Sequence, residues 1–380
     1  MAISDSGRRP LRYRADRWIR QLAMRVIGWC VPANEAGIAE LSPSSVKRIL
    51  LVRANFRMGN ALLALPAIAS FRSGFPDAQI DFVGSPISGV LFQNQPLNQH
   101  YISPRRFPEV LWQYPRLIQK LRANQYDMAV DVSCSHSGLG SFVVGLSGAR
   151  IRAGLAGKWD YFFDLKIPKL HEENKYFKSA EFLAAMRLEV GQAVGVLKFS
   201  GAEKANGLST LESYLSGKTG KKVGVFVGGR RLRGKRWPME NFVDLIHRLE
   251  QRGCSVLAFL GPEETDMARA LGVSLGPKIP LIHEPSVRKF AAMIAHLDLL
   301  ICCDSGPMHL ACSVGVPVVA IFQERDLVRW APPASAARAV HGTAGVGTAE
   351  VLEAALMELS ISRLTGPLAT ATDATTAMSG

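Results

Sequence analysis

Apolar residues in this chain gather in short, nearly unbroken runs, each closed by a polar residue or a glycine, with stretches of helical spacing between them. The runs fall at residues 48–53, 79–84, 126–133, 149–153, 222–227, 255–260, 299–303 and 318–322. They are too short for helices, and the clearest of them are too continuous for strands with one wet face. The pattern therefore predicts parallel strands covered on both sides. Helical spacing falls near residues 61–71, 110–123, 178–190, 239–252 and 287–297. This alternation predicts an α/β fold built on doubly wound, largely parallel sheets.

Between residues 201 and 220 the pattern weakens into Gly, Ser and Lys, which reads as a linker. It separates a first domain over 46–200 from a second over 221–363. At 380 residues the chain is long enough for each to bury its own core. Residues 1–45 stand apart as a basic amphipathic segment. Residues 364–380 lack the apolar content to fold and are expected to be disordered.

The stretch 299–322 is the most informative. It reads as buried strand, sharp turn, helix and second buried strand. Asp304 and Ser305 are helix-capping types, Gly306 permits close backbone approach and Pro307 suits a first helical position. A helix that starts just past a parallel strand points its first N–H groups into the crevice where open α/β sheets bind ligands, and those donors favour an anion such as phosphate. His309, one turn in, faces the same place. The positive end of the helix disfavours imidazolium, so the ring is expected to act as a neutral donor.

Other candidates sit at strand ends. Lys235 shares a loop with Arg230, Arg231, Arg233 and Arg236, which reads either as a solvated charge cluster or as a clamp on a diphosphate. Glu263 follows the strand 255–260. It reads as an acid favoured by a helix dipole or as an acceptor for ribose hydroxyls, with Glu264 next to it as the alternative. In the first domain Asn60 lies just past the first strand, and Asp131 and His136 lie at the end of another. His171, Glu172 and Glu173 precede a helix and are weaker candidates.

Charge narrows the partners. The formal charge of +13 calls for anions: nucleotide phosphates, acidic glycolipid or a membrane surface. Nucleic acid rests on net charge alone and is set aside. The six cysteines form no C-x-x-C pair and no His/Cys metal spacing, which is reduced, cytoplasmic usage. No apolar run reaches the roughly 18 residues of a membrane span. Arg8, Arg9, Arg12, Arg14, Arg17, Arg20 and Arg25 are interleaved with Trp18, Leu22, Val26 and Trp29, which share one side of a helix. A cleaved signal would need a longer apolar core than Arg25 leaves. An amphipathic helix at the inner face of the cytoplasmic membrane is the better reading.

The residues D-S-G-P-M-H-L-A followed by G-V-P-V-V-A-I-F resemble the donor-site signature of glycosyltransferase family 9, the bacterial heptosyltransferase family. Lys235, Trp237 and Pro238 match the family's K-x-W-P element, whose lysine contacts donor phosphate. The resemblance spans about residues 48–330. It implies the GT-B architecture, two Rossmann-like domains facing across a cleft. It also implies inverting transfer of a heptose-like sugar from a nucleotide diphosphate donor to a lipopolysaccharide-type or other glycan acceptor. By this resemblance a glutamate near Glu263 serves the donor nucleoside, and neither metal nor cofactor is called for; the chain has no D-x-D motif.

One departure stands out. The stretch R-M-G-N-x5-P at residues 57–66 resembles the family's G-D-x5-P, where the aspartate acts as general base. Here that position is Asn60, and an amide cannot take a proton near neutral pH. Asn60 can orient an acceptor hydroxyl, leaving Asp131 and His136 as candidates for the base. The alternative is a catalytically silent nucleotide-sugar-binding protein. A nucleotide-dependent oxidoreductase is disfavoured, because the first strand–helix turn lacks G-x-G-x-x-G.

Overall fold

The structure, a computed structural model, describes residues 22, 24–31, 42–106, 108–215, 217–229, 235–323, 326–342 and 345–364. The arginines at 230, 231 and 233, most of the N-terminal segment and the tail from residue 365 lie outside the described residues. The chain divides into two compact units between Gly195 and Val196.

The first unit holds strands β1 (Arg48–Val52), β2 (Gln79–Gly84), β3 (Gln99–Ile102), β4 (Met128–Asp131), β5 (Ile151–Leu155) and β6 (Leu165–Ile167). They form one sheet in the order β3-β2-β1-β4-β5-β6, parallel throughout. The second unit holds β7 (Lys222–Phe226), β8 (Ser255–Phe259), β9 (Leu281–Ile282), β10 (Leu299–Cys303), β11 (Val318–Phe322) and β12 (Ala337–His341). Their order is β12-β11-β10-β7-β8-β9, again parallel throughout. The two sheets thus repeat one topology, and both units are Rossmann-like. In each, the strand order reverses between the first and fourth strands, β1/β4 and β7/β10. That switch point is where such folds bind ligands.

All eight strands expected from the apolar runs are present. The four that were not foreseen, β3, β6, β9 and β12, are the sheet edges. The helix expected near 61–71 is two helices, Met58–Leu62 and Leu65–Gly74, the second carrying Pro66 in its first turn.

The linker expectation is corrected. Residues 201–220 contain the helix Gly201–Leu215, which belongs to the second unit. It packs on the helix Val287–Ile294, and a Cβ at Gly207 would lie 2.4 Å from the Ala292 carbonyl oxygen, so only glycine allows the approach. The buried Arg288 forks onto the Glu203 carboxylate at 2.5 and 3.0 Å and donates to the Lys198 carbonyl at 2.8 Å. That pairing holds the Glu203 carboxyl down to about 2.

Candidate active site

In the second unit the loops leaving β7, β10 and β11 meet at the switch point. Trp237 fixes the first of them. It is buried, packs edge-on against Phe242 with ring centroids 5.0 Å apart, and donates from Nε1 to the Val346 carbonyl at 2.7 Å. Two residues upstream, Lys235 is held only 8% exposed. Its ammonium pairs with the buried Asp304, just past β10, and lies 2.8 Å from Asp326 Oδ2, past β11. Burial alone would lower the lysine pKa, but hydrogen bonds to the two carboxylates outweigh it and raise the value. These bonds account for two of the three ammonium N–H donors.

Asp304 thus orients Lys235, and the N-cap position of the helix Gly306–Ser313 falls to the next residue. Ser305 occupies the N-cap position with extended backbone, but its hydroxyl donates back to the Cys303 carbonyl at 3.1 Å and makes no side-chain cap. With Pro307 in the first turn, the start of this helix presents backbone N–H groups that the Ser305 side chain does not cap, and such helix starts receive anions. His309 is buried, its ring set edge-on to Trp330 at 6.0 Å. Burial first, and then the nearby Lys235 charge, push its pKa down to about 4. Both causes favour the neutral ring at pH 7.

The two glutamates after β8 separate. Glu263 is exposed. Glu264 is buried beneath Gly228 and Gly261, takes Arg236 Nη2 at 2.9 Å, and so ties the basic loop to the strand end. Of the pair, Glu263 keeps its carboxylate at the surface.

In the first unit Asn60 is half-buried in the helix Met58–Leu62 and donates from Nδ2 to Asn55 Oδ1 at 3.2 Å. Asp131 ends β4 opposite Val52 of β1, at the other switch point. It is 4% exposed; Oδ1 accepts the Ser133 N–H at 3.0 Å, and Oδ2 packs where a Cβ on Gly140 would come within 2.5 Å. Burial pushes its carboxyl up to about 6, against the opposing pull of Ser133 and Arg53. Arg53, also buried, donates to the Val132 carbonyl at 2.6 Å.

His136 is placed differently. It is exposed, with Nε2 3.0 Å from the Ala156 carbonyl oxygen. A carbonyl only accepts, so Nε2 carries a proton, and whenever the ring is neutral its lone pair lies on Nδ1. Gly157, at φ +120°, leaves the room, since a Cβ there would lie 2.6 Å from Nε2. His171, Glu172 and Glu173 are exposed; the N–H groups of the first two bond the Glu181 carboxylate, a structural turn. Asp326 and Arg53 were not singled out in sequence, because nothing in their local pattern separates them from ordinary loop and strand-end residues.

Residues 114–351 match the family model described as glycosyltransferase family 9 (heptosyltransferase), which is more than half of the chain. The chain belongs to glycosyltransferase family 9. Among curated relatives of this family 9 chain, lipopolysaccharide heptosyltransferase 3 of Escherichia coli is 26% identical over 298 residues, covering 72% of the chain and 83% of that protein. Lipooligosaccharide heptosyltransferase 2 of Campylobacter jejuni is 26% identical over 280 residues, covering 72% and 81%. Among solved structures, a family 9 glycosyltransferase from Veillonella parvula superposes with a TM-score of 0.73 at 18% identity, covering 83% of this chain and 97% of that one. The Escherichia coli ADP-heptose lps heptosyltransferase II gives 0.67 at 20% identity, covering 83% and 99%. The GT-B fold class expected from the resemblance therefore holds for this family 9 chain, and its two Rossmann-like units are the two halves of that fold.

Proposed function

We propose that the chain transfers a heptose-like sugar, with inversion, from a nucleoside diphosphate donor to a lipopolysaccharide-type acceptor. The observation that carries the reading is the buried Lys235, paired to Asp304 beside the start of the helix Gly306–Ser313 at the second unit's switch point. Relatives named as heptosyltransferases support the sugar and the acceptor class, and an acceptor of that class is held in a membrane, at whose cytoplasmic face the enzyme would act.

An acceptor hydroxyl attacks the anomeric carbon, and the new C–O bond forms as the bond to the diphosphate breaks. Negative charge grows on the leaving diphosphate. The N–H groups at Ser305 and Gly306, the remaining Lys235 donor and the neutral His309 ring receive it. Glu263 accepts from the ribose hydroxyls. Because the positive charge comes from the chain itself, transfer proceeds in EDTA.

The acceptor proton must go to a base other than Asn60. His136 fits better than Asp131. Its tautomer is set by Ala156 with Nδ1 as acceptor, and it is exposed, whereas both Asp131 oxygens face protein groups. Asn60 orients the hydroxyl.

The test is incubation with ADP-heptose and a heptose-acceptor lipopolysaccharide core, following ADP release and acceptor mass together. Coupled appearance of both supports transfer. Nucleotide-sugar binding without turnover on any acceptor would favour the second reading, a silent binding protein, for which Asn60 is the supporting feature.

A further inference from the structure

The helical residues 24–29 have two apolar faces. Met24, Ile27 and Gly28 point into the first unit. Met24 is buried in the cluster that contains Leu117, Leu121 and Phe162, and Ile27 packs against it. Gly28 lies flat on Tyr161, where a Cβ would come within 2.3 Å of the ring. At 100° per residue, Leu22, Val26 and Trp29 fall on the opposite side. They are 47%, 54% and 92% exposed. Docking of one face thus holds the other outward, where no other described residue covers it.

The flanks are cationic. Arg25 is exposed and its charge acts on Tyr161. Lys158, also exposed, stands 4.7 Å over the ring of Trp159, a member of the same cluster. Residues 1–31 carry seven arginines against two aspartates. A further exposed pair, Leu111 and Trp112, begins the helix Val110–Ala123, whose Leu117 and Leu121 share the Met24 cluster. A second copy of this chain would bring the same positive charge against it, whereas an anionic lipid surface is complementary. No helix among the described residues is long and apolar enough to cross a membrane.

We propose that Leu22, Val26 and Trp29, flanked by Arg25 and Lys158, form a membrane-binding face that sits in the headgroup region of an anionic phospholipid bilayer. Tryptophan favours that depth, aliphatic side chains enter the acyl boundary and the arginine reaches back to phosphate. The inference deepens the functional reading by naming the surface through which a lipid-held acceptor is met. Its test needs no sugar transfer.

The full chain is co-sedimented with vesicles of phosphatidylcholine alone and of phosphatidylcholine with phosphatidylglycerol. The expected result is binding to the anionic vesicles that weakens with salt. It should fall at least tenfold in Leu22→Ser/Val26→Ser/Trp29→Ser and several-fold in Arg25→Glu, with thermal unfolding unchanged because all four side chains are exposed. Equal sedimentation of parent and triple variant overturns the proposal. So does failure of the parent to bind anionic vesicles. So does sedimentation velocity showing, without lipid, a parental oligomer that the triple substitution dissolves, since a second copy then covers this face. Vesicle binding by a chain that transfers no sugar would sink the transfer reading and leave this one standing.

Discussion

Lys235→Ala is the substitution that bears most directly on the donor site. At an effective dielectric near 20, an ammonium about 4 Å from a unit negative charge contributes about 4 kcal/mol. Much of that charge is already on the diphosphate before transfer, and only the part that develops as the anomeric bond breaks affects kcat. Taking half a unit charge leaves about 2 kcal/mol, roughly thirtyfold in kcat, with the remainder appearing as weaker donor binding. The fall in kcat/KM should thus lie between about 30-fold and about 1000-fold. Asp304 and Asp326 bias the figure, since without Lys235 both carboxylates face the dianionic donor. The double variant Lys235→Ala/Asp304→Asn removes one of them and should recover part of the loss. Initial rates of ADP release give kcat and KM, and calorimetry with ADP gives binding separately. Parental kcat/KM in a Lys235→Ala protein with intact circular dichroism would refute the clamp.

Three further expectations follow. His136→Gln should lower kcat by roughly 10²- to 10⁴-fold with nucleotide affinity unchanged, while Asn60→Ala costs less; parental rates in His136→Gln would return the base assignment to Asp131. Asp131 has a carboxyl raised to about 6 in the folded chain, so its contribution to stability is present below the unfolded value near 4 and is lost as pH rises through 6. Thermal unfolding of Asp131→Asn against the parent should therefore shift in the variant's favour between pH 4 and pH 8, by at most about 3 kcal/mol, and a pH-independent difference would contradict the burial argument. Glu203→Ala leaves the buried Arg288 guanidinium without its carboxylate and should cost about 3 kcal/mol by calorimetry, whereas a residue in a true linker would change stability by less than about 0.5 kcal/mol.

What the amino-acid order alone determined follows from how local each signal is. The eight inner strands are covered on both faces and paired on both edges, so they must be continuously apolar, and runs such as LLICC and VVAIF announce themselves. The edge strands QHYI, LKI, LI and ARAVH have one neighbour each, and QHYI and ARAVH are largely only half-covered; they carry no such constraint. The helix Gly201–Leu215 buries only Gly207, Leu211 and Leu215, too little to print a helical period on a polar stretch. Its docking depends on Arg288 and Ala292, some eighty residues away. The site divides along the same line. Lys235, Ser305, Gly306 and His309 were legible because a strand end, a capping type and a helix start are neighbours in sequence. Asp326 became a partner of Lys235 only because β11 pairs beside β10, and Glu264 was told from Glu263 only by which carboxylate turns under the glycines. His136 owes its tautomer to the Ala156 carbonyl, twenty residues on. In the N-terminal helix the apolar stripe Leu22, Val26 and Trp29 could be read from spacing. That it faces outward was decided by Met24 and Gly28, because a helix can turn only one side to the protein, and packing chose the other.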